Sequence, residues 1–390
     1  MLTRRKFLIL ATGSVGMGLL AACGGNASPA PAKPADSGAA PAATSAPAAP
    51  SVAGGSVDKS KLAKEISIWT FGNYVSDNVI KKFKDEFGVN IKYDTFSANE
   101  EAEAKFKAGG NPGYDVLIIS DYMVSKFVGQ NLLEPIDQAI VTNATNIDSG
   151  LKGLYYDKTN EYSVGYFWGT TGLAYESTKV KEPITSWKQV MEPSDDIKGK
   201  IGMLDDMREL LGVGLRYKGF SANASKPEEI EAAKAALIAQ KKAVKVYADS
   251  PTGSTNLSSG DVVVAMMYTN DALLAIRNNP NIKYVIPADV STVWQDNMVI
   301  PKGAPSVYTA QVFLNFMLRP DIAALNANDV GSGTPNAEAI KQGLIDKALT
   351  SDPTIYPDLK ALGSKVEWLV KGDPKVDELY QRAFDEVKNS

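Results

Sequence analysis

Between residues 66 and 119 the apolar positions switch regularly between short extended runs and helical faces. Ile66-Ser67-Ile68-Trp69 reads as a strand, and Val79, Ile80, Phe83 and Phe87 share one face of a helix that starts near Ser76 and stops at Gly88. Val89 to Tyr93 reads as a second strand. Ser97 and Glu100 have capping-box spacing for a second helix, which ends at Gly109-Gly110. Asp115-Val116-Leu117-Ile118-Ile119 is a nearly unbroken apolar run, as a parallel strand covered on both faces requires. Two β-α-β units with short links predict an α/β lobe with right-handed crossovers.

A second series begins beyond Trp168-Gly169. Lys200 to Leu204 reads as a strand leading into a helix near Asp205, and Pro227 to Gln240 as an alanine- and glutamate-rich helix. Asp261 to Met267 reads as a buried strand and Val293 to Pro301 as another extended segment. Apolar residues recur helically from Val307 to Leu318, and Lys375 to Val387 forms an amphipathic pattern. No internal repeat is visible.

The N-terminus obeys a different logic. Thr3-Arg4-Arg5-Lys6-Phe7-Leu8 opens an apolar stretch that runs to Leu20, followed by Ala21, Ala22 and Cys23. A basic start, an apolar run and small residues before a cut read as an export signal of residues 1–22. Ala21-Ala22-Cys23 looks like a lipobox whose thiol is acylated, and the paired arginines resemble a twin-arginine export motif. A membrane anchor is the competing reading, but Gly13, Gly16 and Gly18 interrupt the run, which falls short of the ~20 residues a span needs. From Gly24 to Ser56 the chain is almost entirely Ala, Pro, Ser and Gly, too poor in large apolar residues to order itself. Residues 23–58 are therefore expected to be a lipidated, solvated leash holding a body outside the cytoplasmic membrane.

That body, roughly 330 residues, is too large for one ordinary core and suits two lobes. A net charge of −4 gives no ground for a nucleic-acid partner. The chain contains no histidine and a single cysteine, which excludes serine–histidine triads, cysteine–histidine pairs, histidine zinc sites and cysteine clusters. No catalytic residue, metal ligand or cofactor is expected.

Residues just beyond the strand ends share one chemistry. They include Phe71, Asn73 and Tyr74; Ser120 and Tyr122; Asp206 and Glu209; Tyr268 and Asn270; Trp294 and Asp296. Ligands of open α/β sheets sit at the carboxyl ends of strands. Aromatic faces beside carboxylates, drawn from distant stretches, suit an organic cation.

At these residues the sequence resembles the polyamine-binding (spermidine/putrescine) extracellular solute-binding proteins of ABC importers. The likeness runs from about Ile66 to the C-terminus. It is carried by Tyr114-Asp115 through Ser120-Asp121-Tyr122, Tyr162-Ser163 through Trp168-Gly169, and Leu204-Asp205-Asp206-Met207-Arg208-Glu209. Further patches are Lys226 to Ala233, Trp294-Gln295-Asp296 to Ile300-Pro301, Leu318-Arg319-Pro320-Asp321 and Thr334-Pro335-Asn336.

The resemblance implies a two-lobed, type II periplasmic-binding-protein-like α/β fold, with the ligand in a cleft between lobes joined by crossing strands. The crossings would fall near Trp168 to Gly172 and Trp294 to Asp296. One lobe would comprise residues 59–170 and 296–340, the other 171–295 and 341–390. It also implies that Asp206, Glu209 and Asp296 hold ligand ammonium groups and that Ser120 and Tyr122 hydrogen-bond from the first lobe. Trp294 would stack along the methylenes, Tyr268 stands where the family often has tryptophan, and Tyr74 matches the tyrosine of a family turn. Trp294, Tyr122, Tyr268 and Phe71 can cover the methylenes. The turn Phe71-Gly72-Asn73-Tyr74 departs from the pattern, because Asn73 stands where the family has an acid; Ser332 stands where a tyrosine is common and Leu369 where glutamine occurs.

The implied function is capture of spermidine or putrescine and delivery to a membrane permease driven by an ATPase, by a monomer tethered through its lipid. A protein of the same fold binding another small amine or other solute is the alternative. A sensory subunit and a carboxylate-pair hydrolase are weaker ones, since no second acid stands at a readable spacing for the latter.

Overall fold

Strand β1 (Glu65–Thr70) lies between β2 (Asn90–Thr95) and β3 (Val116–Ser120), parallel to both. The computed structural model describes residues 57–96, 98–370 and 373–390. The export segment, Cys23, the leash up to Ser56 and Ser97 of the expected capping box lie outside them. Helix α1 (Asp77–Phe87) starts where Ser76 Oγ accepts from the Asn78 amide at 3.1 Å. It ends at Gly88, whose φ of 72° is the left-handed conformation that only glycine adopts without cost. Helix α2 (Asn99–Gly109) follows Ala98 without a side-chain cap, and Glu100 turns instead toward Tyr122. Helix α3 (Asp121–Gly129) leaves β3 directly, and β4 is the short Leu133–Glu134.

The long β5 (Ser163–Glu176) is buried at all 14 positions. Beyond it come α4 (Lys188–Met191), β6 (Ile201–Leu204), α5 (Met207–Tyr217), α6 (Pro227–Gln240), β7 (Val244–Ala248), α7 (Ser250–Ser259), β8 (Val264–Tyr268), α8 (Thr269–Asn278) and β9 (Ile282–Val285). The chain then returns through β10 (Ser291–Pro301) to α9 (Val307–Met317), α10 (Pro320–Val330), β11 (Val366–Trp368) and a C-terminal helix, Pro374–Asn389.

The strands are ordered β2-β1-β3-β10-β5-β8-β6-β7, with β4 and β11 paired to β10 and β9 paired to β5. Side chains on the two faces feed different cores. Ile66, Ile68, Val116, Ile118, Met298 and Ile300 enter one cluster, whereas Trp69, Leu117, Ile119 and Val299 enter another on the opposite face. The same alternation recurs farther along the chain: Leu173, Ile201, Met203, Val264 and Met266 point one way, Ala174, Ala265 and Met267 the other. Two doubly covered sheet halves thus make two lobes, and burial on both faces explains why these strands read as continuous apolar runs.

β5 and β10 connect the halves. They pair antiparallel from Thr171 and Thr292 to Ser163 and Val299, with an extra residue, Tyr166, opposite the Asp296–Asn297 step. From Asp296 to Val299 β10 also pairs with β3 along its other edge, and then with β4, while β5 runs on from Thr171 onto β8 and β9.

The expected return to the second lobe at residue 341 is corrected. Ile345, Leu349 and Ile355 belong to the first-lobe core, with Tyr356 and Leu359 against it. The chain rejoins the second lobe at Glu367, which accepts from Arg216 at 2.9 Å, and at Trp368 and Val370, both bonded to Asn223. The C-terminal helix then packs into its core through Tyr380, Ala383 and Val387. Apolar side chains between 345 and 359 have the exposed flank of the first core to cover, and helical periodicity alone does not say which core a short element serves.

Candidate functional site

Where the two lobes face each other a cavity of about 270 Å³ opens. Ten of the eleven expected strand-end residues line it: Phe71, Tyr74, Ser120, Tyr122, Asp206, Glu209, Tyr268, Asn270, Trp294 and Asp296. Asn73 does not. It is exposed and has φ 55°, so it makes the left-handed corner that turns Phe71 and Tyr74 inward while its own amide points away.

Asp296 is held at the centre by strand register. It pairs with Ser120 on β3 and Phe167 on β5, beside the Tyr166 bulge. Ser120 Oγ donates to its Oδ1 at 2.7 Å, and the Tyr74 hydroxyl donates to its Oδ2. Burial pushes its carboxyl up to about 6, against the lowering effect of those two hydroxyls. Asn99 at the start of α2 braces this wall, its Nδ2 donating to Ser120 Oγ and to the Tyr122 hydroxyl, both at 3.1 Å.

On the other side, Asp206 is the N-cap of α5: its Oδ1 accepts from the Glu209 amide at 2.9 Å. Its Oδ2 faces the Tyr268 hydroxyl at 3.4 Å. Glu209 lies deeper, accepting from Thr171 Oγ1 on β5 at 2.7 Å and Thr292 Oγ1 on β10 at 2.9 Å. Burial, and then the charge of Asp206, raise Glu209 to about 7. Burial also raises Asp206, against the amides at the helix start and Arg208. Tyr74, Tyr122 and Tyr268 are all held well above their usual range by burial beside these acids, so they remain neutral donors.

The aromatic walls are fixed by close packing. Trp294 and Tyr268 meet edge to face at 5.8 Å, and Phe71 meets Tyr74 at 5.5 Å and Phe96 at 4.6 Å. Trp294 can lie over the strand only because residue 169 is glycine: a Cβ there would stand 2.6 Å from the indole ring.

Several lining residues escaped the sequence reading. Asp271, one position past the expected Asn270, is buried in α8, and burial lifts it to about 6. Thr292, Asn99 and Phe96 also line the cavity; Leu369, which stands where the family has glutamine, lines it too, and its carbonyl accepts from Tyr155 at 2.7 Å. Glu100, just outside that lining, accepts from the Tyr122 hydroxyl at 3.0 Å. Asp271 follows from the same strand-end rule taken one residue further. Asn99 and Glu100 follow from applying that rule to β2.

Among the described residues, none of the side chains lining this cavity is lysine or arginine, while Asp206, Glu209, Asp271 and Asp296 supply carboxylates from both lobes. Asp205 at the rim is already met by Lys388 at 2.6 Å. Such a site accepts hydrogen bonds from a cation and covers an apolar stem.

The raised carboxyls give a pH dependence of known sign. Folded Asp296, Asp271 and Glu209 hold protons to about 6, 6 and 7, against ordinary values of 3.8, 3.8 and 4.5. The folded state therefore binds more protons than the unfolded state between these limits, and the stability these groups contribute falls as pH rises through the window. Cation affinity runs the opposite way, dropping by about tenfold per unit for each acid that must shed its proton below its own value. Titration calorimetry at pH 5.5, 6.5 and 7.5 reads this directly. Affinity flat across that range would show that these acids do not meet the ligand charge.

Comparison with known proteins adds to this geometry. The family model described as bacterial extracellular solute-binding protein matches residues 78–357. The spermidine/putrescine-binding periplasmic protein of Escherichia coli (strain K12) is 32% identical over 301 residues, covering 77% of this chain and 84% of that one. A putrescine/agmatine-binding protein of Pseudomonas aeruginosa is 28% identical over 340 residues, covering 83% and 91%. Among solved structures, the substrate-binding protein PotD of a spermidine/putrescine ABC transporter from Streptococcus pneumoniae aligns with a TM-score of 0.72 at 31% identity, covering 84% of this chain and 99% of that one. A lipoprotein of Treponema pallidum aligns with a TM-score of 0.73 at 26% identity, covering 83% and 99%.

Proposed function

The chain belongs to the bacterial extracellular solute-binding proteins, and from that premise we propose that it captures a polyamine, spermidine or putrescine, and hands it to the permease of an ABC importer. The observation that carries this reading is the all-acidic, aromatic-walled cavity, with no basic side chain among its described lining residues. Relatives named for spermidine, putrescine and agmatine support the same class.

Asp296, Asp206, Glu209 and Asp271 take the ammonium groups, each well-formed charge-assisted bond contributing about 1.5–3 kcal/mol. Trp294, Tyr268, Tyr122 and Phe71 cover the methylenes. Tyr74 and Ser120 do not compete for the ligand; they hold the Asp296 carboxylate in place. Closing the lobes on β5 and β10 presents the permease with a shape the open form lacks, and release requires only that the lobes part. The lipidated Cys23 and the leash after it would keep the body near the membrane, with the permease and its ATPase as partners and a monomer as the working unit. The lipoprotein relative from Treponema pallidum supports that tether.

A thermal-melt screen with spermidine, putrescine, spermine, amino acids and phosphonates tests the reading. An amine at a hundredfold excess over its dissociation constant should add about 2.7 kcal/mol of stability. Stabilisation by anions or amino acids with none by any polyamine would reject it.

A further inference from the structure

Resting on the polyamine reading, we infer that Glu100 is a further ammonium-accepting residue of this site, carried by α2 of the first lobe to the hydroxyl of the cavity-wall residue Tyr122. Glu100 lies in the first turn of α2, directly after the lining residue Asn99. Its Oε1 accepts from the Tyr122 hydroxyl at 3.0 Å, and the Tyr122 ring is itself part of the cavity wall. The charge of Asp206 reaches it: burial, and then Asp206, raise the Glu100 carboxyl above its usual range. Lys126 offsets Glu100, but it is engaged elsewhere, with Glu103 at 3.4 Å and Asp377 at 3.5 Å.

Two like charges on opposite lobes resist closure, and a mobile ammonium between them removes that resistance. Glu100 also fills a gap on the first-lobe side. The 71–74 turn presents Phe71, Gly72 and Tyr74 to the cavity but leaves Asn73 outside. Asp121 is occupied by the amides of Tyr122 at 2.7 Å and Gln295 at 3.4 Å. Among the described residues Asp121 also lines the cavity and Glu100 stands just outside its lining, but Asp121 is held by backbone amides, whereas Asp296 and Glu100 are held by hydroxyls that can turn away for a cation. One stands on a crossing strand and the other on the lobe that swings.

Calorimetry with spermidine on the wild type, Glu100→Gln, Glu100→Asp, Tyr122→Phe, Asp296→Asn and Glu338→Gln tests this, with each variant's melting curve recorded. Glu100→Gln should bind about tenfold or more weakly and show a shallower salt dependence, with Glu100→Asp recovering part of both. Tyr122→Phe should keep the wild-type salt dependence, and Glu338→Gln, at a remote and partly exposed acid outside the cavity lining, should bind as the wild type does. If Glu100→Gln stays within about twofold of the wild type while Asp296→Asn has lost binding, Glu100 stands outside the site. If Glu100→Gln and Tyr122→Phe coincide in affinity and in salt dependence, Glu100 merely positions Tyr122 and the inference falls. A wild type that ignores every amine overturns the polyamine reading itself, and with it the basis for this one.

Discussion

Replacing Asp296 by Asn is expected to weaken polyamine binding about a hundredfold or more, whereas Asp205→Asn changes it less than about threefold. Both residues border the cavity, so proximity alone would not separate them. Asp296 is only 4% exposed, is fixed between Ser120 and Phe167 in the strand ladder, and has two hydroxyls aimed at its oxygens. An amide keeps that shape and removes the charge. Asp205 is exposed, and its charge is already answered by Lys388. Because burial holds the Asp296 carboxyl at about 6, its ionised form costs stability in the empty protein at neutral pH. The Asn variant should therefore melt no lower than the wild type while losing its ligand. Titration calorimetry with a melting curve measures both. Equal affinity losses for the two variants would mean that the acids act through their summed field and not by contact.

Gly172→Ala should cost about 3 kcal/mol of folding stability, the upper end for forcing one carbon into a closed core. A Cβ at 172 would stand 2.3 Å from the Val285 carbonyl oxygen and 2.7 Å from the Tyr284 ring and hydroxyl. The carbonyl belongs to β9, which is paired to β5 at the next residue, Leu173, so it has nowhere to retreat. The Tyr284 hydroxyl donates to the Thr170 carbonyl at 2.8 Å, so moving the ring disturbs the crossing strand a second time. Gly253→Ala, in α7, meets only Met267 Cε at 3.9 Å and should be neutral or slightly stabilising. Urea unfolding of the two variants is the comparison to make. Indistinguishable midpoints would disprove the close fit of β5 on β9.

The first lobe was legible because its strands and helices announce themselves separately. Ile66–Trp69 and Val116–Ile119 are short apolar runs bounded by polar caps, and Ser76 and Gly88 bracket α1 chemically as well as by pattern. The site was legible for a related reason: carboxyl ends of strands are where side chains can leave the sheet, and ten of the eleven residues named there converge. β5 was visible only as scattered patches. Its sequence, Ser163 to Glu176, is buried throughout and carries three glycines, so it shows neither alternation nor a bounded apolar run. α7 was invisible for the opposite reason. Ser250-Pro251-Thr252-Gly253-Ser254-Thr255 has the composition of a loop, and the helix is held by the Asp249 cap at 2.8 Å and by burial of Gly253 and Ser254 near β8. Asn73 was misplaced because a side chain at a left-handed corner points opposite to its neighbours, which the motif alone does not reveal.

Thr171, Thr292, Trp294 and Asp296, which define or brace the floor of the cavity, all lie on the two strands that join the lobes. Selectivity and mechanical compliance are therefore written in the same few positions. Any redesign that swaps the floor for a new cargo also retunes the stiffness of the joint, so affinity and opening rate should shift together in such variants. A sensor built from this chain would be adjusted more independently from the outer walls, at Phe71 or Tyr122, than from the strands that bend.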